Sequence, residues 1–183
     1  MNLAHGLAVL RQKALDLPEY LLADVLFWPM AGANMPKLSL GLMLLARGRL
    51  AAMSGEMDDE RQAERGEAES KIDASLAQWR VAAETKAGRE LHSRVNLWQR
   101  FWEEYSDDPR SRASNYATEV TQRAIAALLL RAFPRLAETA SAQSLAVLDR
   151  SIRRRLKGDQ FVWEPKLQPA FPKAEFWFLY SGL

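Results

Sequence analysis

The feature that most constrains this chain is a long stripe of apolar residues that repeat at steps of three or four positions. This spacing places side chains on one face of an α-helix. No proline lies between Pro36 and Pro109, and Gly88 does not shift the phase of the repeat. The sequence therefore predicts one long helix from about Ala68 to Tyr105. Its apolar face consists of Ile72, Leu76, Trp79, Ala83, Ala87, Leu91, Val95, Trp98, Trp102 and Tyr105.

Shorter helical patterns precede and follow this stripe. Apolar residues recur at helical spacing from Leu3 to Ala14, and Asp16 followed by Pro18 predicts a helix end and a new start. Prolines and glycine predict a loop over 29–36. Four further helices are predicted: 20–28, 38–53, one capped by Ser114 or Asn115 that ends near Ala132, and one capped by Ser141 that ends at Lys157 and Gly158.

Two segments have a different composition from the rest. Residues 54–69 carry almost no large apolar side chain, so they form either a solvated extension of the next helix or a mobile loop. Residues 159–183 alternate aromatic residues with prolines, which prevent a long helix and predict an extended strap over the helices. We therefore expect a single all-α domain over 1–183. It is predicted to be an antiparallel bundle of about five or six helices, with one long central helix and the C-terminal strap.

Composition narrows the classes of protein this chain can belong to. Cysteine is absent, which excludes disulfides, zinc knuckles and a cysteine nucleophile, and fits a cytoplasmic location. The start of the chain lacks a basic signal-peptide region, and the most apolar stretch is about half the ~20 residues that span a bilayer. We expect no membrane association. No glycine-rich phosphate loop or H-E-x-x-H pattern occurs. The sequence therefore predicts no catalytic residue and no cofactor.

One set of carboxylates has a spacing that metal ions use. Glu60, Glu64 and Glu67 share one face if their segment is helical, and oxygen ligands on one face can hold Mg²⁺. Glu64 with Glu67, and Glu104 with Asp107, resemble the paired acids of all-α nucleotide pyrophosphatases of the MazG kind. That resemblance implies a Mg²⁺-dependent nucleotide hydrolase. The alternative, which the interspersed arginines favour, is a solvated face with local ion pairs.

Basic residues are concentrated towards the end of the chain. The net charge is only +2, but residues 107–183 carry twelve basic and eight acidic groups. On the predicted last helix, the cations could bind nucleic-acid phosphates, with the aromatic tail as a stacking platform. The alternative is a solvated face that complements the helix dipole, and the small net charge favours it. The residues concerned are Arg150, Arg153, Arg154, Arg155 and Lys157.

The length of the central helix suggests a second copy of the chain. A compact monomer of this length has a radius of gyration of about 16 Å. A helix from Ala68 to Tyr105 would span about 57 Å, which exceeds the resulting diameter of roughly 40 Å. We therefore expect a homodimer in which Ile72, Leu76 and Trp79 lie at the interface. The leading functional hypothesis is a non-catalytic interaction or scaffolding protein with an unidentified protein partner. Nucleic-acid binding and Mg²⁺-dependent hydrolysis are the alternatives.

Overall fold

A computed structural model describes residues 2–32 and 35–183, and across these ranges the chain is all-α. None of the described helices combines the length and apolar character that crossing a bilayer requires. Two isolated antiparallel bridges join Trp28 to Leu38 and Lys157 to Gly182. The α-helices are α1 (Leu3–Leu22), α2 (Leu40–Ala52), α3 (Asp59–Gln78), α4 (Arg80–Asp107), α5 (Pro109–Arg112), α6 (Tyr116–Ala132) and α7 (Ala140–Ile152). Short 3-10 segments occupy Ser54–Glu56, Ala113–Asn115, Pro134–Glu138, Pro165–Ala170 and Trp177–Tyr180.

The contacts within the chain divide it into two compact units. Unit 1 runs from Met1 to Glu90, and unit 2 runs from Leu91 to Leu183. The boundary in the chain falls inside α4, so this helix contributes its first turns to unit 1 and the rest to unit 2. The expected single domain stays a prediction.

In unit 1, α1 is one uninterrupted helix, so the predicted stop at Asp16 is wrong. The Asn2 side chain caps its start by accepting a hydrogen bond from the Ala4 amide at 3.0 Å. Pro18 lies inside the helix, where it removes one backbone hydrogen bond and costs about 3 kcal/mol. The buried residues Leu10, Leu17 and Leu21 lie on both sides of it. Their packing offsets the free-energy cost of Pro18. The apolar periodicity alone did not show that the helix continues through the proline.

A lysine from α4 binds the chain where α1 ends. The Nζ of Lys86 donates hydrogen bonds to the carbonyls of Ala23 and Val25 at 2.7 and 2.6 Å. A cation stabilises the exposed carbonyls at a helix C-terminus. Helix α1 ends at Leu22, so the separate helix predicted over 20–28 is wrong: residues 20–22 belong to α1 and residues 23–28 are not helical. Of the predicted loop 29–36, residues 33 and 34 lie outside the described residues.

The predicted helix from Ala68 to Tyr105 is two helices. Trp79 separates α3 from α4, and its backbone angles of φ −110° and ψ 37° are not helical. The next helix resumes at once, because the Ala83 amide still bonds to the Trp79 carbonyl at 2.9 Å. A break of one residue leaves the apolar phase nearly unchanged, so the repeat did not reveal it. Residues 59–69 belong to α3, so most of the polar segment is a solvated helix extension.

The core of unit 2 follows the second half of the stripe. Leu91, Val95, Trp98 and Trp102 are buried. Helix α4 ends at Asp107, two residues beyond the predicted end at Tyr105, and Asp108 then caps α5 by accepting a hydrogen bond from the Ser111 amide. Asn115, one of the two predicted caps of α6, takes the N-cap position, but its side chain makes no capping bond to the described residues. The predicted cap at Ser141 is wrong, because Thr139 caps α7.

The C-terminal strap is ordered against unit 2, as the sequence predicts. Phe171, Phe176 and Phe178 are fully buried. The Tyr116 hydroxyl donates to the Phe178 carbonyl at 2.7 Å, and the Trp163 indole donates to the Ala117 carbonyl at 3.0 Å. These bonds tie the strap to the start of α6. Burial raises the pKa of the Tyr116 hydroxyl, which keeps it a hydrogen-bond donor.

Candidate functional site

A groove runs between α4 and α7 in unit 2. The two helices run in the same direction, because His92 Nδ1 lies 3.2 Å from Ser141 Oγ and Arg155 Nη1 donates to Ser106 Oγ at 2.9 Å. Both contacts pair a residue of α4 with the residue 49 positions later, at or just beyond α7. This pair of helices is therefore parallel, unlike the antiparallel neighbours expected from the sequence.

The groove is apolar along its floor and polar along its rim. Its volume is about 460 Å³. Trp102 and Ile152 are buried side chains that line it, and Val147 lines it while 58% exposed. Leu148 adds a further apolar side chain, and polar and charged residues complete the lining: Gln99, Glu103, Ser106, Ser144, Ser151 and Arg155. A concave apolar surface with a polar border is typical of a site that binds one face of an amphipathic helix.

The electrostatics of the groove differ along its length. Glu103 lies on the α4 wall and accepts a hydrogen bond from Gln99 at 2.8 Å. Arg155 lies at the end where both helices reach their C-termini. Arg153 and Arg154 precede it in the turn after α7 and are exposed. This end therefore carries charges of both signs, with arginines on the side of α7 and with Glu103 and Asp107 on the side of α4.

The structure separates the five basic residues predicted to share one helix. The predicted extension of this helix to Lys157 is wrong, because α7 ends at Ile152. Arg150 lies within α7, Arg153 follows its last residue, and Arg154 and Arg155 form a turn. Lys157 pairs through its backbone with Gly182. The Arg153 guanidinium lies 4.3 Å from the centre of the Trp177 ring, so it covers one face of an aromatic residue of the tail.

We expect the outermost of these cations to contribute little to stability. Arg150 and Arg154 are exposed, and surface substitutions change stability by about 0.5 kcal/mol or less. A variant carrying both Arg150→Gln and Arg154→Gln should therefore keep the urea midpoint of the wild type. Arg153→Gln is the comparison, because it removes a cation–π contact and should lower stability by about 0.5–1 kcal/mol. A large loss from the double variant would contradict the solvated-face interpretation.

The acidic residues proposed as metal ligands lie in unit 1. Glu64 forms an ion pair with Arg11 at 3.3 Å, and Glu67 forms one with Lys71 at 2.7 Å. The hydrogen bond and charge of Lys71 lower the pKa of Glu67. Glu60 is exposed. Within the described residues, no group of three or more acids, histidines or cysteines is arranged to hold a metal ion.

The residues predicted for a homodimer interface differ in their burial. Ile72 is fully buried within unit 1, whereas Leu76 and Trp79 are half-buried. The break at Trp79 divides the helix on which the length argument rested, and α4 alone would span about 42 Å, close to the expected diameter of roughly 40 Å. The homodimer therefore stays a prediction with less support from helix length.

Sequence reasoning missed the buried charged residues of both units. In unit 1, Glu90 is 0% exposed and accepts hydrogen bonds from Ser39 Oγ at 2.6 Å and from the Gly41 amide at 2.8 Å. It thereby places negative charge at the start of α2, where the helix dipole favours it. In unit 2, Arg123 binds Asp149 through Nε and Nη2, the latter at 2.6 Å. No local pattern marks these residues, because their partners lie 51 and 26 positions away in the chain.

Comparison with known proteins leaves these sites to be interpreted from their own geometry. No protein-family model matches the chain, and no curated protein or solved structure shows significant similarity to it.

Proposed function

We propose that this chain is a protein-interaction module whose groove between α4 and α7 binds an amphipathic helix of a partner protein. The observation that carries this proposal is the combination of a concave apolar floor with the exposed Val147 at its border. A large apolar side chain that is more than half exposed beside a groove gains free energy when a partner covers it.

The charge of the groove specifies the partner helix. An incoming helix that runs antiparallel to α4 and α7 places its N-terminus beside Arg155. Acidic residues are most stable in the first turn of a helix, and there one of them would reach the Arg155 guanidinium. Apolar residues spaced at i, i+3, i+4 and i+7 would then follow along Val147 and Trp102. The expected partner is thus an amphipathic helix with Asp or Glu in its first turn.

A displayed library of helical peptides selected on the full-length protein tests this proposal. We expect enrichment of sequences with that apolar spacing and an acidic first turn. Val147→Asp should weaken their binding about tenfold or more, because it places a charge against the apolar face. Val81→Asp is the matched control. Val81 is 79% exposed and does not line the groove, so this variant should bind as the wild type does.

Reversing the charge of Arg155 tests whether the peptides bind at the groove or at another apolar surface of the protein. Arg155→Glu should weaken peptides with an acidic first turn and strengthen the same peptides carrying lysine there. The proposal is wrong if no peptide is enriched, if Val147→Asp leaves binding unchanged, or if the chain self-associates through the groove instead.

A further inference from the structure

A second cavity lies in unit 1, between α1 and α2. Its volume is about 270 Å³. Val9, Leu42 and Leu45 provide apolar lining, while His5, Lys13 and Arg49 provide side-chain nitrogen atoms. Among the described residues that line it, none carries a carboxylate. A small, mostly apolar cavity in which every ionisable side chain is a base is suited to an anion with an apolar body.

Lys13 is the most unusual of these residues. Its side chain is 1% exposed, and lysine is almost never fully buried unless it is paired. Its Nζ donates a hydrogen bond to the Lys37 carbonyl at 3.0 Å, next to Pro36, which also lines the cavity. An ammonium group has three donors, and the described part of the chain provides this one acceptor. Burial lowers the pKa of Lys13, while the negative charges of Glu90 and Asp16 oppose this shift.

We propose that this cavity binds a small amphipathic carboxylate, with its carboxylate group against Lys13 and Arg49 and its apolar body along Val9, Leu42 and Leu45. A guanidinium can bind both oxygens of a carboxylate, and an ammonium supplies a further charge-assisted hydrogen bond. A single negative charge suits this site better than a phosphate, because a doubly charged group loses more hydration in an apolar cavity. This site belongs to unit 1 and does not depend on the proposed groove.

Calorimetric titration of the full-length protein tests the proposal with hexanoate as the probe. Hexanol has the same apolar body without the charge, and hexylamine reverses the charge. We expect hexanoate to bind about tenfold or more tightly than hexanol, because charge-assisted hydrogen bonds are the stronger ones. Hexylamine should not bind, since the lining bases repel it.

Three variants distinguish the contribution of the lining cations from that of the cavity volume. Lys13→Met and Arg49→Gln remove a lining cation, and each should weaken hexanoate about tenfold. Ala46→Leu leaves all three bases in place but fills part of the cavity, because Ala46 lines it. It should weaken hexanoate and hexanol alike. Lys71→Met is the control, because Lys71 is exposed and lies outside this cavity.

Each result decides the proposal, even if Lys13→Met fails to fold, because the other two variants retain the buried ammonium. Absence of hexanoate binding in the wild type would overturn it. So would equal affinities for hexanoate and hexanol, or full affinity in both Arg49→Gln and Ala46→Leu.

Discussion

Replacing Trp98 with alanine is expected to lower the free energy of unfolding by about 3–5 kcal/mol. The side chain is 1% exposed and is the largest fully buried one in the described part of the chain. It stacks on Phe101 at 5.6 Å between ring centres and meets Trp102 edge-on at 5.5 Å. Truncation therefore removes buried area and ring contacts together, and it leaves a cavity that these neighbours fill only partly.

Urea unfolding of three variants would check this prediction. Leu97→Ala is the matched control, because Leu97 adjoins Trp98 on α4 but is 42% exposed, and it should cost about 1 kcal/mol or less. Trp98→Phe should cost less than Trp98→Ala. It retains an aromatic ring and removes the buried indole N–H, which has no hydrogen-bond partner among the described residues. Equal urea midpoints for the wild type and Trp98→Ala would refute the assignment of the stripe to the core.

The apolar stripe predicts which residues are buried, because burial of one helix face produces the periodic pattern. A helix must bury one face, so residues such as Ala83, Leu91 and Trp98 could be assigned to the core from spacing alone. Continuity of the helix is a different property. Trp79 leaves the helical conformation without a proline or glycine nearby in the chain, and a break of one residue preserves the phase. The sequence therefore identified the buried face but not the point at which the helix divides.

The features that sequence reasoning missed depend on partners that are distant in the chain. Lys86 binds carbonyls at the end of α1 that lie more than 60 positions away, and Glu90 accepts a hydrogen bond from the start of α2. Neither pairing leaves a local signal, because the charged residue and the helix terminus approach only after folding. The groove between α4 and α7 also leaves no local signal in the sequence. Its lining comes from two helices whose parallel alignment is fixed by contacts such as Arg155 with Ser106.

The pH dependence of stability provides the second large expected effect. Burial lowers the pKa of Lys13 from 10.5 to about 8, although Glu90 and Asp16 oppose the shift. Between these two values the unfolded chain holds a proton that the folded chain has released. Stability rises with pH wherever the unfolded state binds more protons. The free energy of unfolding should therefore increase from about pH 8 to pH 10.5, with a contribution from Lys13 on the order of 3 kcal/mol.

Comparison of variants isolates this contribution, because other groups also titrate in the alkaline range. Burial also lowers the pKa of Lys86, so this second lysine contributes to the same rise. Urea unfolding at intervals across this pH range should show the increase in the wild type and in Lys71→Met, since Lys71 is exposed. The increase should be smaller in Lys13→Met by the contribution of the missing ammonium. Below pH 8 the contribution should be flat, because Lys13 is then protonated in both states. Parallel curves for the wild type and Lys13→Met would mean that the ammonium is hydrated in the folded protein.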